Sequence, residues 1–287
     1  MNSKRRTGVQ VSPHPGECAS AAPGGRVDAD PYARSGRRWA LGAELVYRPI
    51  AAELVAMSPY PLAGRTVLDA GAGTGAVSAA LIARHARPVA IDLSAAMLAW
   101  NAAARPPCAV ADIRALPLTT ASADDAVAAF VLNHLTDPAT GLAELARVTR
   151  LGGAVLATVF SSHSTSEARG RIDAAAQAAD WRAPAWYTEL KASTVPLLSN
   201  PAAMAAAARA AGLACVRAEE RPVDVGITQP NQLVTYRLGH PAFAAWLDAL
   251  GPSRARAFAA EAEHAIREVM QPYRPVVVFL RARTKSQ

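Results

Sequence analysis

The chain is poor in several residue types, and each shortage removes a class of function. Among 287 residues there are three cysteines, Cys18, Cys108 and Cys215. They are far apart and odd in number, so neither a disulfide framework nor a zinc spacing follows from them. No apolar run approaches the roughly 20 residues that cross a bilayer, so no membrane partner is expected. The N-terminus is polar and basic with no apolar segment behind it, which is not a signal peptide. A reducing, cytoplasmic setting is the expectation. Only three lysines occur, Lys4, Lys191 and Lys285, and no dense basic run extends beyond Lys4-Arg5-Arg6. The net charge of +7 is carried by scattered arginines such as Arg84, Arg147 and Arg256 with no aromatic stripe among them. That pattern reads as solvated surface charge, and no nucleic-acid partner is expected.

What is abundant is apolar material, 51% of the chain. It suffices for one large domain, or for one domain with a cap. The organising stretch is Val67-Leu68-Asp69-Ala70-Gly71-Ala72-Gly73-Thr74-Gly75. It reads as a short buried strand, an acid, a glycine turn and the start of a helix. Glycines at alternate positions let the backbone pass close to a ligand, and the helix start offers free N–H groups. Gly71, Gly73 and Ala76 also fit the dinucleotide spacing loosely, so the turn alone leaves the nucleotide open.

The following segments narrow it. Pro88–Asp92 is a second apolar strand ending in an acid, placed to accept the two hydroxyls of a ribose. Ser94 then caps a helix carrying Met97 and Leu98. Next comes Ala109-Val110-Ala111-Asp112-Ile113, then Asp124 through Leu135, a fourth strand and its exit loop, which carries His134. An amphipathic helix spans Pro138–Arg150, a Gly152-Gly153 turn follows, and Ala154–Phe160 is a fifth strand.

This ordered set resembles the class I S-adenosyl-L-methionine (SAM) methyltransferases, and within them the small-molecule group that includes the ubiquinone and menaquinone enzymes. Asp69 to Gly75 matches that family's Asp-x-Gly-x-Gly-x-Gly motif. The run from Glu144 to Gly153 matches its E-x-x-R-V-L-x-P-G-G segment, with Leu151 where proline is usual. The resemblance implies a Rossmann-like, seven-stranded, mostly parallel α/β sheet with an antiparallel last strand and a helical cap. It implies SAM as cofactor, S-adenosyl-L-homocysteine (SAH) as product, and no metal. It places the cofactor against Tyr32, Asp69, Gly71, Ala72, Gly73, Asp92, Leu93, Met97, Asp112, Ile113 and Val131. In that scheme Asp112 pairs with the adenine amino group and its apolar neighbour packs on the ring.

The expected organisation is a disordered tail (1–29), N-terminal cap helices broken at Pro49 (30–62), the SAM-binding core (63–160), a substrate-cap insertion (161–200), and a C-terminal part completing the sheet with a helical insertion (201–287). Trp181, Trp186 and Tyr187 either wall the acceptor or pack the cap onto the core. Tyr32, Arg37 and Tyr47 either reach the cofactor or belong to a packed helix with exposed arginines. His134 and His163 follow the fourth and fifth strands, whose ends face the ligand crevice of such a sheet, and are the candidate catalytic bases. His240 ranks below them.

The Asn-Pro-Pro-Tyr signature of exocyclic-amine methylation is missing, as are paired catalytic cysteines and a Tyr-x-x-x-Lys pair. The expected acceptor is therefore a small molecule, an aromatic or heteroaromatic specialised metabolite methylated at carbon or nitrogen, by a monomer or homodimer. A SAM-binding protein without methyl transfer and a nucleic-acid methyltransferase are the alternatives. Titration calorimetry with SAM, SAH and NAD tests the cofactor. The SAM pair binds, and Asp92→Ala weakens it roughly 10- to 100-fold, the worth of a hydrogen bond to a charged group. Binding of NAD alone would overturn the assignment.

Overall fold

The structure, a computed structural model, describes Ala19–Ser20 and residues 30–285. Of the tail expected over 1–29, everything but Ala19–Ser20 lies outside the described residues. Those two pair with Ala109 and Val110 as a short parallel edge strand.

Among the described residues eight strands form one sheet: β1 Ala19–Ser20, β2 Thr66–Ala70, β3 Arg87–Asp92, β4 Cys108–Val110, β5 Asp125–Ala129, β6 Ala154–Phe160, β7 Ala214–Pro222 and β8 Val276–Arg283. Their order is β1-β4-β3-β2-β5-β6-β8-β7. The pairs from β1 to β6 are parallel. β8 runs antiparallel between β6 and β7. This is the expected seven-stranded sheet with its antiparallel last strand, lengthened by the two-residue β1.

Alternation along the strands explains the layering. Val277 and Phe279 of β8 join the core on one face, and Val278 and Leu280 join the core on the other. Val67 and Leu68 of β2 divide in the same way. A strand covered on both faces has no polar side, which is why these segments read as continuous apolar runs. One face is covered by the helix Glu44–Ala56, through Val46, Ile50 and Leu54, together with the C-terminal helices. The other is covered by Leu142 and Leu145 of Pro138–Val148 and by Met204 of Pro201–Ala210.

From β2 the chain winds outward to β3 and β4, then returns to β5 on the other side of β2. Loops leaving β2 and β5 therefore part in opposite directions, and the gap between them is where ligands bind in open α/β sheets. The sequence places the glycine turn after β2 and His134 after β5.

Two expectations need correction. Pro49 does not break the N-terminal helix, which continues from Glu44 to Ala56. Proline removes one backbone donor, but Ile50, Ala51, Leu54 and Val55 just beyond it are fully buried and hold the helix against the sheet. Cys108 is disulfide-bonded while Cys215 is a free exposed thiol. Spacing in the sequence could not indicate this, because it does not say which segments become neighbours. The helix Pro241–Ile266 is kinked just before Pro252, with Gly251 at φ 73° and ψ 166°.

Three strands are tied at their N-terminal ends by Asp125, which is 2% exposed. Its carboxylate accepts from Arg65 Nε at 2.5 Å and Nη2 at 2.8 Å, and from the backbone N–H of Ala154 at 2.8 Å. Arg65→Ala leaves a buried carboxylate without its cation and is expected to cost about 3 kcal/mol in urea unfolding. Asp125→Asn, which keeps a carbonyl oxygen for Ala154, is expected to cost less.

Candidate active site

The glycine turn is shaped by close approach. Gly71 has φ +73°, and a Cβ placed on it would lie 2.4 Å from Cβ of Val131. Any side chain there would push apart the loops after β2 and β5. Gly73, at φ +53°, has only Met97 Cε near its missing side chain, at 3.6 Å, so its role is conformational. The turn is held by Asp92 at the tip of β3. Its Oδ2 accepts from the backbone N–H of Gly73 at 2.7 Å and its Oδ1 from that of Ser94 at 2.8 Å. Burial raises the Asp92 pKa, and these two N–H groups act against the rise. Each oxygen keeps a lone pair for a ligand hydroxyl.

Two supports were invisible in the sequence. Arg105 donates to the carbonyls of Gly73, Met97 (2.9 Å) and Trp100 (3.0 Å), clamping the turn to the helix Ala95–Ala99. Glu44, 1% exposed, accepts from Thr74 Oγ1 and from Arg48, which pins the N-terminal helix to the turn. Both contacts join residues 30 or more positions apart, a separation that no local pattern betrays.

Above the turn lies a cavity of about 480 Å³. One half is lined by Tyr32, Gly71, Ala72, Gly73, Asp92, Leu93, Met97, Asp112, Ile113 and Val131, ten of the eleven residues expected there. The eleventh, Asp69, is fully buried beneath the turn and absent from the wall. Its Oδ2 accepts from Ser78 Oγ at 2.6 Å, and burial raises its pKa to about 6. Asp112 stands in the wall with Arg114 folded onto it, Nη2 to Oδ2 at 2.6 Å, which lowers the Asp112 pKa.

The other half is aromatic. Tyr47, Phe130 and Phe160 form a cluster with centroids 4.6 to 5.8 Å apart, and Trp39 lies 4.6 Å from Tyr47. Phe130 adopts φ +58° at the end of β5, a conformation that a bulky side chain rarely takes. Trp186 and Tyr187 of the cap face this half, whereas Arg37 does not reach the cavity. Trp181 takes the packing role, stacked on Phe243 at 4.3 Å with Nε1 donating to Ala242 O at 2.9 Å.

The histidines divide. His134 lines the cavity, with Nε2 3.4 Å from Tyr32 Oη. Its exposed side faces the cavity, and the surrounding protein still strips water from it, lowering its pKa to about 4. His163 is corrected out of the site. Its ring is exposed and engages Glu220 of β7 at 2.9 Å, outside the cavity wall. The chain leaving β6 turns along the edge toward β7, so following a strand end did not bring the ring to the crevice. His240, ranked lower from the sequence, does line the cavity. Its Nε2 is buried without a partner, and burial, with Arg237, Arg169 and Lys191 adding, holds its pKa well below the usual value. No spacing signal marks it, since it arrives from the C-terminal helices. Among the described residues no group of three metal-ligating side chains gathers, and no helix is long and apolar enough to cross a membrane.

An open parallel sheet with a glycine turn and an acid at neighbouring strand tips defines a nucleotide-dependent α/β protein. Residues 68–157 match the methyltransferase-domain family model, and over this region the chain is similar to the class I SAM methyltransferases. It is 35% identical over 122 residues to a demethylmenaquinone methyltransferase of Mycolicibacterium gilvum, covering 42% of this chain and 52% of that one. It is 37% identical over 123 residues to a malonyl-[acyl-carrier protein] O-methyltransferase of Halorhodospira halophila, covering 40% and 41%. The chain thus spans about half the length of the curated relatives it matches. The fold is also that of a Haemonchus contortus phosphoethanolamine N-methyltransferase 2 solved with SAH (17% identity, TM-score 0.53, 83% of this chain and 52% of that one).

The cavity fits the cofactor of that family. Gly71 leaves no side chain in the way, Asp92 presents free lone pairs beside the turn, and Met97 and Ile113 offer apolar faces to a base.

The His134 value predicts a pH dependence. Its folded pKa of about 4 lies below the ordinary 6.5. Between those values the unfolded chain takes up a proton here and the folded chain does not. The stability contribution is therefore complete above 6.5 and is lost as pH falls toward 4. Asp69, raised from 3.8 to about 6, has the opposite slope, so the comparison must be with a variant. The melting temperature of His134→Gln is expected to fall less steeply than that of the wild type across this interval.

Proposed function

We propose that the chain transfers the methyl group of SAM to a small-molecule acceptor, an aromatic or heteroaromatic specialised metabolite, at carbon or nitrogen and without a metal. The observation that carries this reading is the two-part cavity: the wall built on Gly71, Asp92 and Met97 runs directly into one built on Tyr47, Phe130, Phe160 and Trp186. SAM, when bound, supplies a methyl carbon already activated by the sulfonium. The protein's share is to place the acceptor in line with that carbon and keep water out. The aromatic rings do both. Set at angles to one another, they offer a planar acceptor both ring faces and ring edges to pack against.

His134 and His240 stay neutral at physiological pH, because desolvation opposes their charged forms. A neutral imidazole accepts a hydrogen bond from an acceptor N–H or O–H and steers its lone pair. With a pKa of about 4, His134 is too weak a base to remove a proton before the transfer. Its role is orientation and late proton acceptance, as the nucleophile becomes positive.

The competing reading is a SAM-binding protein that does not transfer methyl. Incubation with methyl-labelled SAM and a panel of phenols, indoles and N-heterocycles separates the two. The expected result is label in an aromatic product, with kcat lowered about 10- to 100-fold by His134→Ala or His240→Ala. SAM binding with label released to no aromatic acceptor would favour the competing reading.

A further inference from the structure

The acceptor half of the cavity holds a charge that the protein leaves unanswered. Arg169 lines this half, its Nη1 donating to Tyr273 Oη at 3.1 Å. Arg237 lies beside it, 5% exposed. Asp173, one turn along the helix Glu167–Ala178 from Arg169, is the carboxylate that serves this group. Both of its oxygens go to Arg237, Nε to Oδ1 at 2.6 Å and Nη2 to Oδ2 at 2.9 Å. Among the described residues no carboxylate pairs with Arg169. The groups acting on it are Tyr273, Tyr236 and the like charge of Arg237.

This arrangement is costly as it stands. A guanidinium drawn out of water needs a counter-charge, and a second guanidinium nearby raises the cost. Its place adds to this. Arg169 is in the first turn of its helix, where the backbone dipole disfavours a cation and favours an anion. Lys191, at the cavity wall on the cap, contributes further positive potential of the same sign, felt at His240. His240 Nε2, buried and without a partner, is a second polar atom left open for a ligand.

We infer that the acceptor carries an anionic group, a carboxylate in the first instance, which is bound by the guanidinium of Arg169 and anchors the aromatic ring between Phe130 and His240. This rests on the methyltransferase reading and refines it. The planar fork of arginine matches a carboxylate in two parallel hydrogen bonds. An acceptor held at that end has one orientation in the cavity, and its anion restores the charge balance that the protein alone lacks.

The probe is benzoate, an aromatic carboxylate, with benzamide as its neutral isostere. Each is titrated by calorimetry into the full chain, alone and with saturating SAH. Benzoate is expected to bind in both states and at least about 10-fold more tightly than benzamide, the lower end for a charge-assisted pair. Arg169→Gln should remove that preference, Arg169→Lys should restore part of it, and SAH affinity should be unchanged in both variants. Equal binding of benzoate and benzamide, or a preference that survives Arg169→Gln, overturns the inference. Failure of the methyltransferase reading has a separate signature: SAH does not bind, whatever the behaviour of benzoate alone.

Discussion

The carboxylate of Asp92 is the contact on which the site depends. It joins the tip of β3 to the turn after β2 through Gly73 and to the following helix through Ser94. Three glycine-permitted bends need such restraint, because glycine supplies freedom and no restraint of its own. The other restraints converge on the same turn. Arg105 holds it from the side, Glu44 ties Thr74 to the N-terminal helix, and Val131 closes against Gly71. A loop that must bind by its backbone is thus made rigid by side chains packed around it, of which Asp92 and Val131 also stand in the cavity wall.

The cavity divides chemically because the two loops beside β2 and β5 come from different parts of the fold. The half beside β2 and β3 is built from turn backbone, the acids Asp92 and Asp112 and apolar side chains such as Met97 and Ile113, which suits a cofactor with both polar groups and a flat base. The half beyond β5 is built from rings contributed by the N-terminal helix, the ends of β5 and β6, and the cap. Phe130 is the hinge between them. Its left-handed backbone turns its ring onto Tyr47 and Phe160, and the ring packing offsets the strain.

The cations of this half differ in how the protein answers them. Arg237 is paired with Asp173. Arg169 is not paired with a carboxylate among the described residues, and the imidazoles of His134 and His240 are kept neutral by desolvation. The histidines then offer acceptor atoms rather than charge, and the charge that remains is cationic.

Short-range pattern in the sequence determined the strands, the glycine turn and the capping Ser94, because each rests on residues adjacent in the chain or on a fixed period of burial; the antiparallel last strand and the cavity-wall positions were implied by the family resemblance. It erred where a neighbour from elsewhere decides. Pro49 sits inside a helix that buried leucine and isoleucine hold together. Asp69 lies under the turn and not in the wall. His163 follows a strand end yet pairs with Glu220 at the far edge. Tertiary structure alone brought His240, Arg169, Arg105 and Glu44 to the site. They come from segments remote in sequence from the turn or strand end they meet, and a contact of that kind leaves no trace in local composition. It exists only once the hydrophobic faces of the helices have docked on the sheet and fixed which side chains become neighbours.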